Sequence, residues 1–349
     1  MRDLKYLLAY TIPFFTFLSL IVQGFWSYGT MLYAFVAIPF LETFIFANNG
    51  RNLTEEEREY RATSRVFDWL LYLNLPIILA LVVYYLQVIS TATLATYETV
   101  GLTLSMGTML GSCGINVAHE LGHRLDKKEQ LLAKLFLLPE LYMHFFIEHN
   151  RGHHKNIATD LDPASARYGE WLPVFWMRSV FGGYVSAWKL ENQRLQRAGK
   201  TVLSWNNEMI RFQVIQLVYL ASIAFIWDII TMTFAIWIAV IAFLLLETIN
   251  YIEHYGLRRK KLANGRYEHV SVQHSWNSNH EVGRIILYEL TRHSDHHYKA
   301  SKKYQILDHH DVAPQLPFGY PTSMLMALVP PLWFAVMNRK VKEYKEVNV

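Results

Sequence analysis

The chain has 349 residues, of which 52% are apolar and 15% aromatic, and this is too hydrophobic for a disordered protein. A mean hydropathy of only +0.12 argues against a bundle that lies wholly in lipid. The single cysteine, Cys113, excludes a disulfide framework, a cysteine-ligated metal site and an iron–sulfur cluster built from this chain. Basic residues beside membrane spans explain the formal charge of +4, so we expect no nucleic-acid partner.

Six apolar segments are long enough to cross the roughly 30 Å hydrocarbon core of a bilayer as helices. They occupy residues 7–26, 31–46, 68–89, 94–117, 212–230 and 231–251. Short linkers pair them as three antiparallel hairpins, which places both termini on one side of the membrane. We therefore predict an all-α membrane protein with six transmembrane helices and a histidine-rich helical cap, organised as a single membrane-embedded domain over residues 1–349.

The basic residues predict the orientation of these hairpins. All 33 Lys and Arg residues lie before the first span or in three polar segments, and the turns on the opposite face have none. Because cytoplasmic loops collect Lys and Arg, we predict cytoplasmic termini and cytoplasmic segments at 47–67, 118–211 and 252–349. The apolar stretch 323–337 is short and precedes basic residues, so we expect it to lie in or dip into the interface, with a seventh span as the alternative.

Nine of the 15 histidines form four clusters on the predicted cytoplasmic side. The clusters are HELGH at 119–123, EHNRGHH at 148–154, NYIEHYG at 250–256 and RHSDHH at 292–297. Residues three or four apart share a helix face, so histidines with this spacing are able to meet one metal ion. Nine imidazoles exceed the about four to six positions of one transition metal, and two ions are therefore the economical count.

Ligation by nitrogen alone suits iron, zinc, copper or nickel. A carboxylate-rich di-iron bundle requires two Glu-x-x-His pairs, and only Glu120 and His123 have that spacing here. Nearby acids are candidates to accept the second ring N–H of a ligand, with solvation or helix capping as the alternative. These acids are Glu120, Glu148, Asp160, Asp162, Glu253 and Asp295.

The other six histidines lack ligand spacing, and we expect ordinary structural or solvated roles for them. They are His144, His269, His274, His280, His309 and His310. Glu42 and Glu247 lie inside predicted spans, where an unpaired charge is unfavourable. Each is either a polar anchor inside the bundle or a protonated, hydrogen-bonded acid near a helix end.

Two other functional classes fit part of the pattern. HELGH matches the His-Glu-x-x-His motif of zinc metalloproteases, in which Glu120 would be the general base. A catalytic zinc needs only three protein ligands, so this hypothesis leaves most of the clustered histidines unused. A metal transporter would place polar ligands near the middle of the membrane, whereas these clusters lie at one edge.

The four clusters, together with HSWNSNH at 274–280, resemble the signature of the integral-membrane alkane hydroxylases, also called alkane 1-monooxygenases. These enzymes belong to the histidine-rich membrane desaturase and hydroxylase superfamily. The resemblance runs from the first span to about Pro321. The sequence departs from the family pattern at Thr291, where Gln is frequent, and at Tyr298, where Ala is frequent.

The resemblance implies an oxidoreductase with two iron ions and no haem or flavin in this chain. It also implies terminal hydroxylation of medium-chain n-alkanes by O2, with electrons from rubredoxin and its NADH-dependent reductase. The location implied is a bacterial inner membrane, with the active site on the cytoplasmic side. A fatty-acyl desaturase and an aromatic-methyl hydroxylase are the alternatives within the superfamily. The implied iron ligands and catalytic residues are His119, His123, His149, His153, His154, His254, His293, His296 and His297.

Overall fold

The computed structural model describes residues 2–46 and 48–348 of the chain. Met1, Ala47 and Val349 belong to the predicted cytoplasmic termini and first polar loop, and they lie outside the described residues. Within the described ranges the regular structure is helical, with only isolated β-bridges and no strand. The prediction of an all-α fold is confirmed.

Six segments of the described chain are long and apolar enough to cross a membrane, as predicted. They are Asp3–Val22, Gly24–Phe44, Val66–Thr91, Thr96–Gly122, Glu208–Ile226 and Ile229–His254, called the first to sixth spans below. The first span ends at Val22 instead of residue 26, because Gln23 and Gly24, with φ angles of 55° and 54°, turn the chain. The fourth and sixth spans continue into the histidine motifs that follow them.

Several spans contain departures from α-helical geometry. The π-helical turns Tyr33–Ala37 and Leu110–Ile115 interrupt the second and fourth spans, and 3-10 turns begin the first and second. The α-helical parts of the first four spans are Thr11–Val22, Gly29–Leu32, Ile38–Phe44, Val66–Tyr72, Asn74–Thr91, Thr96–Met109 and Asn116–Gly122. The 3-10 segments at the start of the chain are Arg2–Tyr10 and Gly24–Tyr28.

Shorter helices carry the polar part of the chain. The helix Glu55–Thr63 begins with a capping box, in which Thr54 and Glu57 satisfy each other's backbone N–H groups. The other α-helices outside the spans are Lys127–Phe136, Phe145–Glu148, His154–Asn156, Leu172–Arg197, Glu281–Ile286, His293–Tyr298, Tyr320–Ala327 and Pro330–Asn348. The remaining turns are the π-helical His149–His153 and the 3-10 segments Val272–His274 and Tyr304–Ile306.

The chain divides into two compact units. The first unit comprises residues 1–37, 65–150 and 184–246, and the second comprises residues 38–64, 151–183 and 247–349. In the first unit the fourth span is the interior helix. Of the residues in its apolar stretch 83% are buried, compared with 22% in the fifth span. The exposed apolar side chains of the other spans suit contact with lipid.

Glycines allow the fourth span to approach the sixth closely within the first unit. A Cβ atom on Gly107 would lie 2.5 Å from the Cβ of Ile241, and one on Gly111 would lie 2.9 Å from the carbonyl oxygen of Ala242. Small residues at such crossings bring helix backbones together, which is a common packing device in membranes. This contact fixes the part of the fourth span that precedes HELGH.

We expect Gly107→Ala to lower the free energy of unfolding by about 1–3 kcal/mol, because its methyl group overlaps Ile241 and the helices must separate. Gly122→Ala is the matched control, since a Cβ there has its nearest neighbour at 3.5 Å, an ordinary contact. Alanine favours the helix by about 1 kcal/mol over glycine, so this control is neutral or stabilising. Denaturant unfolding in detergent measures both, and equal stability of the two variants would contradict the close crossing.

In the second unit the helix Ile38–Phe44 packs against Glu281–Ile286 and Tyr320–Ala327. Glu42 is buried there, and its Oε1 accepts a hydrogen bond from the Gly283 N–H at 2.8 Å. Glu247 is also buried, and its Oε2 accepts hydrogen bonds from the Ser179 hydroxyl and the Asn250 amide. Both acids are hydrogen-bonded anchors between segments that are distant in sequence.

The stretch 323–337 is not one straight helix. The chain bends by 120° between the helical segments Tyr320–Ala327 and Pro330–Glu346. Pro330 and Pro331 explain the break, because proline cannot continue the hydrogen-bond ladder of the preceding helix. A broken helix pair of this kind is compatible with the predicted interfacial position.

Candidate metal centre

The HELGH motif lies at the end of the fourth span, in the helix Asn116–Gly122 of the first unit. The rings of His119 and His123 are neighbours on one helix face, with centroids 5.0 Å apart. His149 joins them from the EHNRGHH segment, where its Nε2 lies 3.0 Å from the Nε2 of His123. These three residues form the three-histidine cluster, whose ligand atoms lie within 4.8 Å of one another.

The second unit holds a more deeply buried group, the four-histidine cluster. It consists of His153, His254, His293 and His297. The Nε2 atom of His293 lies 2.8 Å from that of His297 and 3.3 Å from that of His254. The Nε2 atom of His153 is 3.3 Å from that of His297. All four rings are buried, although their residues come from three separate segments of the chain.

Two further clustered histidines form a pair in the second unit. The Nε2 atoms of His154 and His296 are 3.2 Å apart. The predicted convergence of the RHSDHH motif therefore holds for His293 and His297, whereas His296 is directed to His154. Thus each of the nine predicted ligands has at least one other predicted ligand as a close neighbour within its own unit.

The four-histidine cluster fits a metal ion. Three close contacts join the four Nε2 atoms, but each nitrogen is either one donor or one acceptor, so hydrogen bonds account for at most two of these contacts. A cation at their centre satisfies every lone pair at once. Metal–nitrogen bonds of about 2.0–2.1 Å in tetrahedral geometry place ligand nitrogens about 3.3–3.4 Å apart, which is close to the observed spacing of 2.8–3.3 Å.

Asp162 orients one ring of this cluster. Its Oδ2 accepts a hydrogen bond from Nδ1 of His153 at 3.0 Å, and the hydroxyl of Ser165 donates to the same oxygen. With the proton held on Nδ1, the lone pair of Nε2 points into the cluster, as metal binding requires. Of the predicted acids, Asp162 thus has the geometry of an orienting partner. The role of Ser165 was not apparent from the sequence.

Glu253 also reaches the four-histidine cluster. Its Oε2 lies 3.1 Å from Nε2 of His293, and its Oε1 accepts a hydrogen bond from the Tyr320 hydroxyl at 2.7 Å.

Glu148 is buried in the first unit beside His149 in sequence. Asp160 lies 3.9 Å from the Arg258 guanidinium and is exposed.

Asp295 is directed away from the histidines that flank it. Its carboxylate accepts hydrogen bonds from Lys302 Nζ at 2.6 Å, from the Asp308 backbone and from His310 Nε2 at 2.8 Å. Lys302 also contacts the Asp308 carboxylate, which in turn pairs with Arg58. This ionic network, buried at Asp295 and half-buried at its other members, holds the helix His293–Tyr298 to the loop that follows it.

Glu120 is held in an ion pair with Arg124. Its Oε1 accepts hydrogen bonds from Nε and Nη2 of Arg124 at 3.0 and 2.7 Å, and both side chains are buried. Arg124 also lies 3.2 Å from Asp68 at the start of the third span. A metalloprotease general base must reach a metal-bound water, so this pairing argues against the zinc protease hypothesis. Arg124 lies four residues after Glu120, and that spacing is the sequence signal that points to the pair.

The six remaining histidines have other surroundings. His144 is enclosed in the first unit between Tyr142 and Tyr184, and burial lowers its pKa to about 3, so the ring is neutral at physiological pH. His269 is exposed. His274 contacts Glu268, His280 contacts Ser278, His309 contacts Asn279 and Asp311, and His310 contacts Asp295. Among the described residues, none of the six belongs to a potential metal-binding group.

Known proteins resemble the chain over most of its length. The family model described as fatty acid desaturase matches residues 95–325. Alkane 1-monooxygenase of Acinetobacter baylyi is 38% identical over 93% of this chain and 79% of that protein. Alkane 1-monooxygenase 2 of Pseudomonas aeruginosa is 45% identical over 70% of this chain and 65% of that protein. A more distant relative, the xylene/toluene monooxygenase hydroxylase component XylM of Pseudomonas putida, is 27% identical over 71% of this chain and 66% of that protein.

The architecture and these relatives identify the same class of protein. Six spans, histidine clusters able to bind metal and extensive identity to alkane monooxygenases identify an oxidoreductase of the monooxygenase type. The chain belongs to the alkane hydroxylase family of the membrane desaturase and hydroxylase superfamily.

Proposed function

We propose that this protein hydroxylates the terminal methyl group of medium-chain n-alkanes to give 1-alkanols, using O2 and electrons from rubredoxin. The observation that carries the proposal is the buried four-histidine cluster, in an enzyme whose relatives are named alkane 1-monooxygenases. A buried set of imidazole ligands without thiolates suits iron that activates oxygen beside an apolar substrate.

The nine clustered histidines are the proposed ligands of two irons. The four-histidine cluster has the ligand number for one ion, and nine imidazoles exceed the positions of a single ion. Iron bound there would supply the oxygen chemistry, while the protein supplies orientation and electrostatics. Asp162 contributes by keeping the His153 proton on Nδ1, so that Nε2 carries the lone pair that would bind iron.

The position of the ligands along the chain suits a substrate that dissolves in the bilayer. His119 lies in the fourth span and His254 is the last residue of the sixth span, so metal ligands directly continue apolar helices. An alkane has no polar group for recognition, and apolar contacts distinguish one methylene by only about 1–3 kcal/mol. Terminal selectivity therefore requires a narrow apolar approach that admits the chain end alone.

The proposed location is the bacterial inner membrane, with the termini and the metal centre on the cytoplasmic side. The distribution of all 33 Lys and Arg residues supports this orientation. The single cysteine supports a separate electron donor, because a rubredoxin iron requires four thiolates. Rubredoxin and its NADH-dependent reductase are the proposed partners.

An aromatic-methyl hydroxylase is the second candidate, and the similarity to XylM is the observation that favours it. Methyl groups of n-alkanes and of xylene both lack polar handles, so the same metal centre serves either substrate. The two candidates differ in the shape of the substrate that reaches the centre. A direct comparison of octane and p-xylene separates them.

The test uses the full chain in lipid nanodiscs with rubredoxin, its reductase and NADH. We expect 1-octanol as the main product from octane, little oxidation of p-xylene, no product when rubredoxin is omitted, and about two irons per chain. Gas chromatography and elemental analysis provide the measurements. Preferential oxidation of p-xylene would transfer support to the second candidate. Mainly internal octanols, or one zinc and no oxygenated product, would contradict the proposed function.

A further inference from the structure

Glu253 brings a buried carboxylate to the four-histidine cluster. The residue is 1% exposed, and its Oε2 lies 3.1 Å from Nε2 of His293. That nitrogen also faces the Nε2 atoms of His297 and His254. When Nε2 of His293 binds an ion it carries no proton, so the contact with Oε2 then joins two atoms that both hold lone pairs.

A positive charge beside both atoms, such as a bound ion, stabilises that contact. The 3.1 Å between Oε2 and Nε2 of His293 places the carboxylate next to a nitrogen that would bind that ion. The four histidines are neutral ligands and leave the charge of a bound dication uncompensated. Glu253 therefore lies where a buried negative charge stabilises that ion.

Tyr320 fixes the direction of this carboxylate. Its side chain is 1% exposed and its hydroxyl donates to Oε1 of Glu253 at 2.7 Å. The two oxygens of a carboxylate are rigidly linked, so anchoring Oε1 determines where Oε2 points. The start of the helix Tyr320–Ala327 is itself well packed, since a Cβ on Gly319 would overlap Oε2 of Glu42.

We propose that Tyr320 is a positioning residue, whose hydroxyl holds Glu253 so that Oε2 faces the ion bound by the four-histidine cluster. The inference rests on the proposed function only in taking iron as the resident ion. It assigns to Tyr320 an effect on the metal that is transmitted entirely through Glu253. Loss of the hydroxyl lets the carboxylate rotate, which weakens ion retention and makes iron easier to reduce.

The experiment compares Tyr320→Phe, Glu253→Gln and the double variant with the unchanged chain, all full length in nanodiscs. The readouts are the rate at which a chelator removes Fe²⁺ and the midpoint potential of the iron. We expect about tenfold faster loss in Tyr320→Phe, about 10- to 100-fold in Glu253→Gln, and more positive potentials in both. The double variant should match Glu253→Gln alone, because the two residues act in series.

Tyr251→Phe is the matched control. Tyr251 is equally buried and belongs to the same helix as Glu253, but its hydroxyl donates to the Glu170 carbonyl at 2.6 Å. This variant should retain iron at the rate of the unchanged chain. The inference would be overturned if Tyr320→Phe lost iron at the same rate, and had the same midpoint potential, as the unchanged chain. Additive effects of the two substitutions in the double variant would also overturn it.

A parallel series loaded with Co²⁺ separates this inference from the proposed function. An unchanged chain that binds no iron and oxidises no alkane would defeat the proposed function. The positioning role would still be supported if Tyr320→Phe speeds Co²⁺ loss in the chain that keeps Glu253 but not in the Glu253→Gln chain. Co²⁺ loss that is independent of Tyr320 would overturn it, whatever the enzyme's activity.

Discussion

Replacing His297 by alanine should abolish alkane hydroxylation and remove one of the two bound irons. The Nε2 atom of His297 is 2.8 Å from that of His293 and 3.3 Å from that of His153, so its loss removes the ligand shared by both contacts. Replacing the hydrogen-bond partner of a metal ligand typically lowers metal affinity or activity by about 10- to 100-fold. The effect of His297→Ala should be larger, because the ligand itself is removed. Iron content and the rate of 1-octanol formation are the measurements.

His144→Asn is the matched control for this experiment. His144 is also a buried histidine, but it lies in the first unit between two tyrosine rings and outside the histidine clusters. Its replacement should lower stability without changing the iron content per folded chain. An active His297→Ala variant with the full complement of iron would contradict the assignment of the four-histidine cluster as a metal site.

Replacing Arg124 by leucine should lower the free energy of unfolding by about 3–5 kcal/mol, since it leaves the buried carboxylate of Glu120 without its counter-charge. The nearby Asp68 at 3.2 Å loses the same partner. Arg124→Lys should be less harmful, because it keeps the charge but loses the paired hydrogen bonds. Denaturant unfolding in detergent gives the change directly.

The pair Arg339 and Glu343 provides the control. It has the same four-residue spacing and a nitrogen–oxygen distance of 2.7 Å, but Arg339 is 81% exposed. Arg339→Leu should therefore change stability by no more than about 0.5 kcal/mol. Glu120→Gln combined with Arg124→Leu should recover part of the loss, because the uncompensated charge disappears. If Arg124→Leu and Arg339→Leu changed the free energy of unfolding equally, the Glu120–Arg124 pair would contribute no more than a surface pair.

Hydropathy predicted the existence of the six spans, because the requirement for about 20 apolar residues is imposed by the bilayer itself. It did not predict where they end. The first span ends at Val22 through the φ angles of Gln23 and Gly24, which apolar content does not encode. The fourth span continues to Gly122 because HELGH extends the helix with buried side chains instead of beginning a solvated loop.

The histidine motifs predicted the residue types of the centre more reliably than their grouping. The spacing argument assumes 3.6 residues per turn, but His149–His153 is a π-helical turn, which changes the directions of successive side chains. The meeting of His254 with His293 and His297 depends on folding between segments about 40 residues apart, which no local pattern reports.

The acids that surround the histidines were predicted by proximity in sequence, and their directions required the structure. Asp162 contacts a clustered histidine, whereas Asp295, although between His293 and His296, turns towards Lys302. Tyr320 lies 67 residues after Glu253, so no spacing rule connects the two. Polar contacts between distant segments are set by packing, and this is the part of the site that sequence analysis missed.

The proposed function requires imidazole nitrogens of this chain to hold a pair of irons. Iron K-edge X-ray absorption combined with elemental analysis of the purified full-length protein tests it most directly. We predict about two irons per chain, each surrounded by nitrogen and oxygen ligands at about 2.0–2.2 Å, with no sulfur neighbour. A single metal ion per chain, or a sulfur ligand at about 2.3 Å, would rule out the proposed di-iron centre.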